Sequence, residues 1–119
     1  MVLVEDDPGD VPWMHAQFDI VQETPFSFES PAELSKPASC RPNRGAADNP
    51  LFLLNHWIDT SPAPLPSNAE QVNARGFLLK RARECERIRD RLPSLVAVDF
   101  YEEGDVTGAV EELNGLTQP

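Results

Sequence analysis

A chain of 119 residues is one domain or part of one. Apolar residues make up 40% of it, and no apolar run approaches the roughly 20 residues of a membrane-spanning helix, which excludes such a helix. The formal charge of −10, from 20 acids against 10 bases, excludes a general nucleic-acid binder, because neutralising phosphates needs a basic face.

Four short apolar runs read as strands: Val2–Val4, Phe18–Val21, Leu51–Leu54 and Leu95–Val98. The last two are continuous rather than alternating, as in strands of a parallel sheet buried on both faces. The chain opens inside the first run without a basic leader, so the expectation is that Met1 lies within a longer protein. Glu5-Asp6-Asp7 follows the first run, Gln22-Glu23 the second, Asn55-His56 the third and Asp99 the fourth. Polar groups at successive strand ends predict a shared rim, the place where parallel α/β proteins build their sites.

The connections differ in clarity. Pro8–Gln17 sits near the lower limit of roughly 10–12 residues for a parallel crossover. Thr24–Pro50 is long and rich in proline, with a helical turn predicted over Pro31–Lys36. Ser67-Asn68-Ala69-Glu70 reads as a capping box. It opens a helix whose apolar stripe is Val72, Leu79, Ala82, Cys85, Ile88 and Leu92, stopped by Pro93. Seven of the ten bases (Arg75, Lys80, Arg81, Arg83, Arg87, Arg89, Arg91) fall in this stretch and read as its solvated face. Cys40 and Cys85 either bridge the long loop to this helix, as in an exported protein, or stand as two free thiols. Gly104-Asp105 starts a last helix with Val106, Val110 and Leu113 on one face and Asn114-Gly115 as its C-cap.

The pattern predicts an α/β fold of about four parallel strands with flanking helices. Two architectures fit: a small open sheet, or half of a TIM-type (β/α)8 barrel, whose full length is roughly 250 residues. Half a barrel leaves raw strand edges, and a homodimer formed through them is one expectation.

Several segments, in this order along the chain, resemble one family. They are Gln22-Glu23-Thr24-Pro25-Phe26, Cys40-Arg41-Pro42-Asn43-Arg44-Gly45, Leu51 to Trp57 ending in Asn-His-Trp, Leu95 to Tyr101 ending in Asp-Phe-Tyr, and Leu113-Asn114-Gly115. The chain is similar over Val2–Gly115 to the phosphatidylinositol-specific phospholipase C-like phosphodiesterases, in the C-terminal half of their X-domain barrel. The resemblance implies that residues 1–119 are the C-terminal portion of a single barrel domain. The N-terminal half, with the family's two histidines, is then absent.

The implied reaction is cleavage of a phosphodiester, a phosphoinositide or related lipid head group, by histidine general acid–base catalysis. Asp99 takes the slot whose carboxylate orients the general-base histidine; otherwise it caps the turn after its strand. Glu23 faces substrate hydroxyls or a metal ion, or else solvent. Asn55 is expected to point inward as a polar contact near substrate, and Tyr101 to line the mouth of the site. His56 reads as a structural histidine, and His15 lies in a connection. Arg44 approaches a phosphate or, more in keeping with the acid excess, pairs with a local acid.

In the family an arginine or a metal ion offsets charge on the phosphoryl oxygens, and the sequence assigns no cofactor. A divalent cation, calcium or magnesium, stays open, and Glu5, Asp6 and Glu23 are what a metal-dependent alternative would use. The chain by itself is expected to be inactive, and the Cys-x-x-Asn-Arg-Gly element points to an exported parent. The competing reading is a non-catalytic acidic α/β module that binds a partner or itself.

Overall fold

Parallel pairing runs through the whole molecule. The computed structural model describes residues 1–116. Strands β1 (Val2–Val4) and β2 (Met14–Ala16) form one small sheet, with Leu3 opposite His15. Strands β3 (Val21–Glu23), β4 (Leu51–His56) and β5 (Leu95–Val98) form a second sheet in that order. Glu23 pairs with Leu53, and Asn55 with Ala97. Helices α1 (Gln17–Ile20), α2 (Pro31–Leu34), α3 (Pro66–Val72), α4 (Arg75–Arg89) and α5 (Val106–Leu113) fill the connections, with a 3-10 turn over Pro37–Cys40. Strands alternate with helices, and no closed barrel forms among the described residues. The architecture is half of a (β/α) barrel.

The core lies between the larger sheet and the helices that follow it. Phe52 and Leu54 of β4 pack with Leu78, Ala82 and Cys85 of α4 and with Ala109 and Leu113 of α5. Side chains alternate along a strand, so Leu53 and Asn55 lie on the opposite face, which would be a barrel's interior. The long loop turns back against β3. Glu23 donates its N–H to the Arg44 carbonyl and accepts from the Asn43 N–H, both at 3.1 Å. The edge of β3 away from β4 is thereby covered. Gly45 makes this approach at φ +87°, where a Cβ would collide with the Val21 carbonyl oxygen, so only glycine fits.

The structure departs from the sequence expectations at several places. Phe18–Val21 is not one strand: Gln17–Ile20 is a helical turn, and the strand starts at Val21. Met14–Ala16, expected as connection, is a fifth strand paired to β1. The helix expected from Ser67 to Leu92 is two helices. It breaks because Asn73 turns its amide to the Asp99 and Phe100 carbonyls (2.9 and 3.4 Å) and its own carbonyl accepts the Asp105 N–H. No capping box forms at Ser67, since Pro66 holds the first helical position and Leu65 the N-cap. The same Ser-x-x-Glu pattern works at Ser30, whose hydroxyl accepts the Glu33 N–H at 3.2 Å while the Glu33 carboxylate accepts the Glu29 N–H.

The buried face of α4 is Leu78, Arg81, Ala82 and Cys85, and Ile88 and Leu92 stay more than a third exposed. Arg81 therefore leaves the expected solvated face: it is 4% exposed. The expected turn at Pro31, the Asp105 start of α5 (accepting the Gly108 N–H at 3.0 Å) and the Asn114-Gly115 end are all present. Cys40 and Cys85 are joined by a disulfide that fastens the 3-10 turn to α4.

Candidate active site at the strand ends

All five strands run parallel to their partners, so Glu23, Asn55 and Asp99 come to the same, C-terminal end of the larger sheet. Two of them touch. The Asn55 amide donates to the Glu23 carboxylate at 3.0 Å and to the Thr24 carbonyl at 2.9 Å. Both residues are at most 3% exposed. The Asn43 amide also donates to Glu23, and Arg44 grips it with a fork through Nε and the NH2 nitrogen. Arg44 meets Glu5 as well at 3.4 Å, and its guanidinium lies 4.2 Å from the Phe18 ring centre and 5.0 Å from that of Phe26. The bonds to Glu23 raise the Arg44 pKa above its ordinary value. Glu23 is thus a buried carboxylate engaged by Asn43, Arg44 and Asn55, and the solvent-facing alternative does not describe it.

Asp99 sits just beyond β5, two residues after Ala97, the partner of Asn55. It lines a small cavity with Trp57, Asn68 and Asn73. Partial burial, and then the neighbouring Asp59, hold its carboxyl above the usual range. Among the described residues it joins no ion pair. In the same cavity the Asn73 Oδ1 is buried without a hydrogen-bond partner among the described residues. Tyr101 is 73% exposed.

The histidines are elsewhere. His15 is exposed on β2. His56 is fully buried on the helix side of the sheet, with Nε2 2.8 Å from the Val72 carbonyl and Nδ1 3.2 Å from an Arg81 nitrogen. Those partners fix a neutral ring, donating from Nε2 and accepting at Nδ1. Burial first, and Arg81 second, lower its pKa to about 3, so it exchanges no proton near neutrality.

Two arginines that sequence reasoning placed in solvent brace the rim from behind. Arg81 donates to the Asn55 carbonyl at 2.8 Å and to Ser39, and burial lowers its pKa to about 9. Arg89 donates to the Glu23 carbonyl at 3.2 Å and to the Gln22 side chain at 2.8 Å. Their signal in the sequence is positional: Arg81 falls one helical turn from Leu78 and Cys85, on the buried stripe.

The Glu23 carboxylate is already engaged by protein groups. Both Glu23 oxygens are taken by Arg44, Asn43 and Asn55. Among the described residues no three His, Cys, Asp or Glu side chains converge as ligands.

Comparison with known proteins adds the family. A family model described as "PI-PLC X 1" matches residues 1–114. The chain belongs to the PI-PLC X family. The assignment carries the (β/α) barrel superfamily with it. Two curated proteins of Arthroderma benhamiae are similar. "PI-PLC X domain-containing protein 1" is 30% identical over 92% of this chain and 38% of its own length. An "Uncharacterized secreted protein" is 27% identical over 95% of this chain and 29% of its own length. The PI-PLC X chain therefore spans about a third of the length of these relatives. No solved structure matches it.

Proposed function

We propose that this chain is the C-terminal half of a phospholipase C-like barrel that cleaves a phosphodiester, a phosphoinositide or a related lipid head group. The observation that carries the reading is the rim. A buried Glu23–Asn55 pair and the separate carboxylate of Asp99, without an ion-pair partner among the described residues, stand at one end of a parallel sheet. Glu23, held by Arg44, Asn43 and Asn55, shapes the pocket together with Asn55 and Tyr101. Asp99 accepts a hydrogen bond from a histidine supplied by the other half of the barrel. That bond orients the imidazole and stabilises its cationic form while it holds the proton of the attacking hydroxyl. Glu23 acts through hydrogen bonding rather than metal ligation, since Arg44 already balances its charge.

The disulfide and the relative named as a secreted protein support export of the parent. The chain alone lacks an acid–base pair, because its two histidines are buried and neutral or away from the rim. In an assay of inositol phosphate release, it is expected to turn over no phosphoinositide. Joined to the first half of the barrel of the 30%-identical relative, it is expected to do so. Turnover by the chain alone, abolished by His15→Ala or His56→Ala, would overturn the reading.

A further inference from the structure

A groove of about 770 Å³ runs between α4 and the turn at Ser35–Cys40. It lies on the helix side of the sheet, because α4 covers Phe52 and Leu54 whereas Asn55 faces the other way. Its size falls within the roughly 300–1,000 Å³ of small-molecule sites. Its apolar lining comes from Pro37, Phe77 and the half-cystine Cys40. Its charge is the reverse of the molecule's. Five of the ten bases line it, against the single acid Glu84, in a chain with twice as many acids as bases.

Glu84 is already held by Arg87 at 2.8 Å, and Arg83 is held by Glu86 at 2.9 Å. Lys36 and Lys80 are the only two lysines of the chain, and both stand at this groove. Both are exposed, and among the described residues neither has an ion-pair partner. Two lysines beside an apolar lining, Lys80 also within Coulombic reach of Glu84, suit a ligand with a doubly charged head and a hydrocarbon body. The disulfide between Cys40 and Cys85 keeps the two walls together without any ligand.

We propose that this groove binds a phosphate-headed amphiphile, its alkyl chain against Pro37 and Phe77 and its head between Lys36 and Lys80. The site is separate from the strand-end rim and does not depend on the catalytic reading. It gives the outer wall of the half-barrel a hold on single-chain phospholipids.

The test is calorimetric titration of the 119-residue chain with dodecyl phosphate below its micelle concentration. Saturable one-to-one binding is expected, with inorganic phosphate and neutral dodecyl maltoside each at least about tenfold weaker. The double variant Lys36→Ala/Lys80→Ala is expected to lose at least about tenfold in affinity for dodecyl phosphate while melting at an unchanged temperature. Dodecyl phosphate should also slow acetylation of both lysines relative to the N-terminal amine, read by mass spectrometry. Equal binding of inorganic phosphate would reduce the groove to a simple anion site, and equal binding of maltoside to an apolar patch. Self-association that the double variant abolishes would assign it to a second copy. Each of these, or no binding at all, would overturn the proposal.

Discussion

His56 and Glu23 show two opposite ways of burying a titratable side chain. His56 gives up its proton, since its ring must accept from Arg81. Its pKa is lowered to about 3 in the folded chain from an ordinary 6.5. Between those values the unfolded histidine binds the proton and the folded one does not. Stability is therefore full above the ordinary value and falls as pH drops from there toward the folded value, by at most about 1.4 kcal/mol per pH unit. Urea denaturation between pH 7 and pH 5 should show this slope, shallower in His56→Gln; parallel slopes would contradict it. Glu23 is instead surrounded by partners, Arg44, Asn43 and Asn55, that all donate to its carboxylate. Arg44→Ala leaves that carboxylate without its cation. Because Arg44 is 40% exposed, the expected loss is about 1–3 kcal/mol rather than the full cost of breaking a buried pair. Chemical denaturation measures it, and Arg44→Lys should restore only part, since an ammonium cannot reproduce the fork.

At the scale of elements, α4 does more than pack. Through Cys85 it holds the 3-10 turn, through Arg81 the end of β4, and through Arg89 the end of β3. Replacing Cys40 and Cys85 together by serine reopens a span of 45 residues and should cost about 2–4 kcal/mol in denaturant melts run without reductant. An unchanged midpoint would contradict that. The elements legible in the sequence were those with strong local signals. Leu51–Leu54 and Leu95–Val98 are apolar runs, and Asp105 and Asn114-Gly115 are caps. Met14–Ala16 carries no apolar run, and it becomes a strand only because β1 lies alongside. The break at Asn73 is equally invisible locally, because it depends on carbonyls that arrive from beyond β5. The capping pattern was legible but ambiguous: it occurs twice, and Pro66 decides against the second copy.

For the whole molecule, the parallel order of the strands and the rim at their ends could be read from which residues follow each apolar run. The partners of that rim could not. Asn43 and Arg44 reach Glu23 across the long loop, while Arg81 reaches the Asn55 carbonyl and Arg89 the Glu23 carbonyl from a helix whose charges look solvated in the sequence. The larger sheet is asymmetric as a result. At β3 the outer edge is covered by the loop, whereas among the described residues β5 pairs with β4 alone and Leu95 is 42% exposed. Asp99 belongs to that open side, where a neighbouring strand would bring its own side chains. The proposed histidine partner of its carboxylate would come from there. Steady-state phosphodiesterase kinetics of the barrel completed with the relative's first half, with and without Asp99→Asn, tests this. The expected result is a kcat lower by about 100-fold or more with KM little changed, as when an imidazole loses its orienting anion. An unchanged kcat in a folded Asp99→Asn barrel would contradict it.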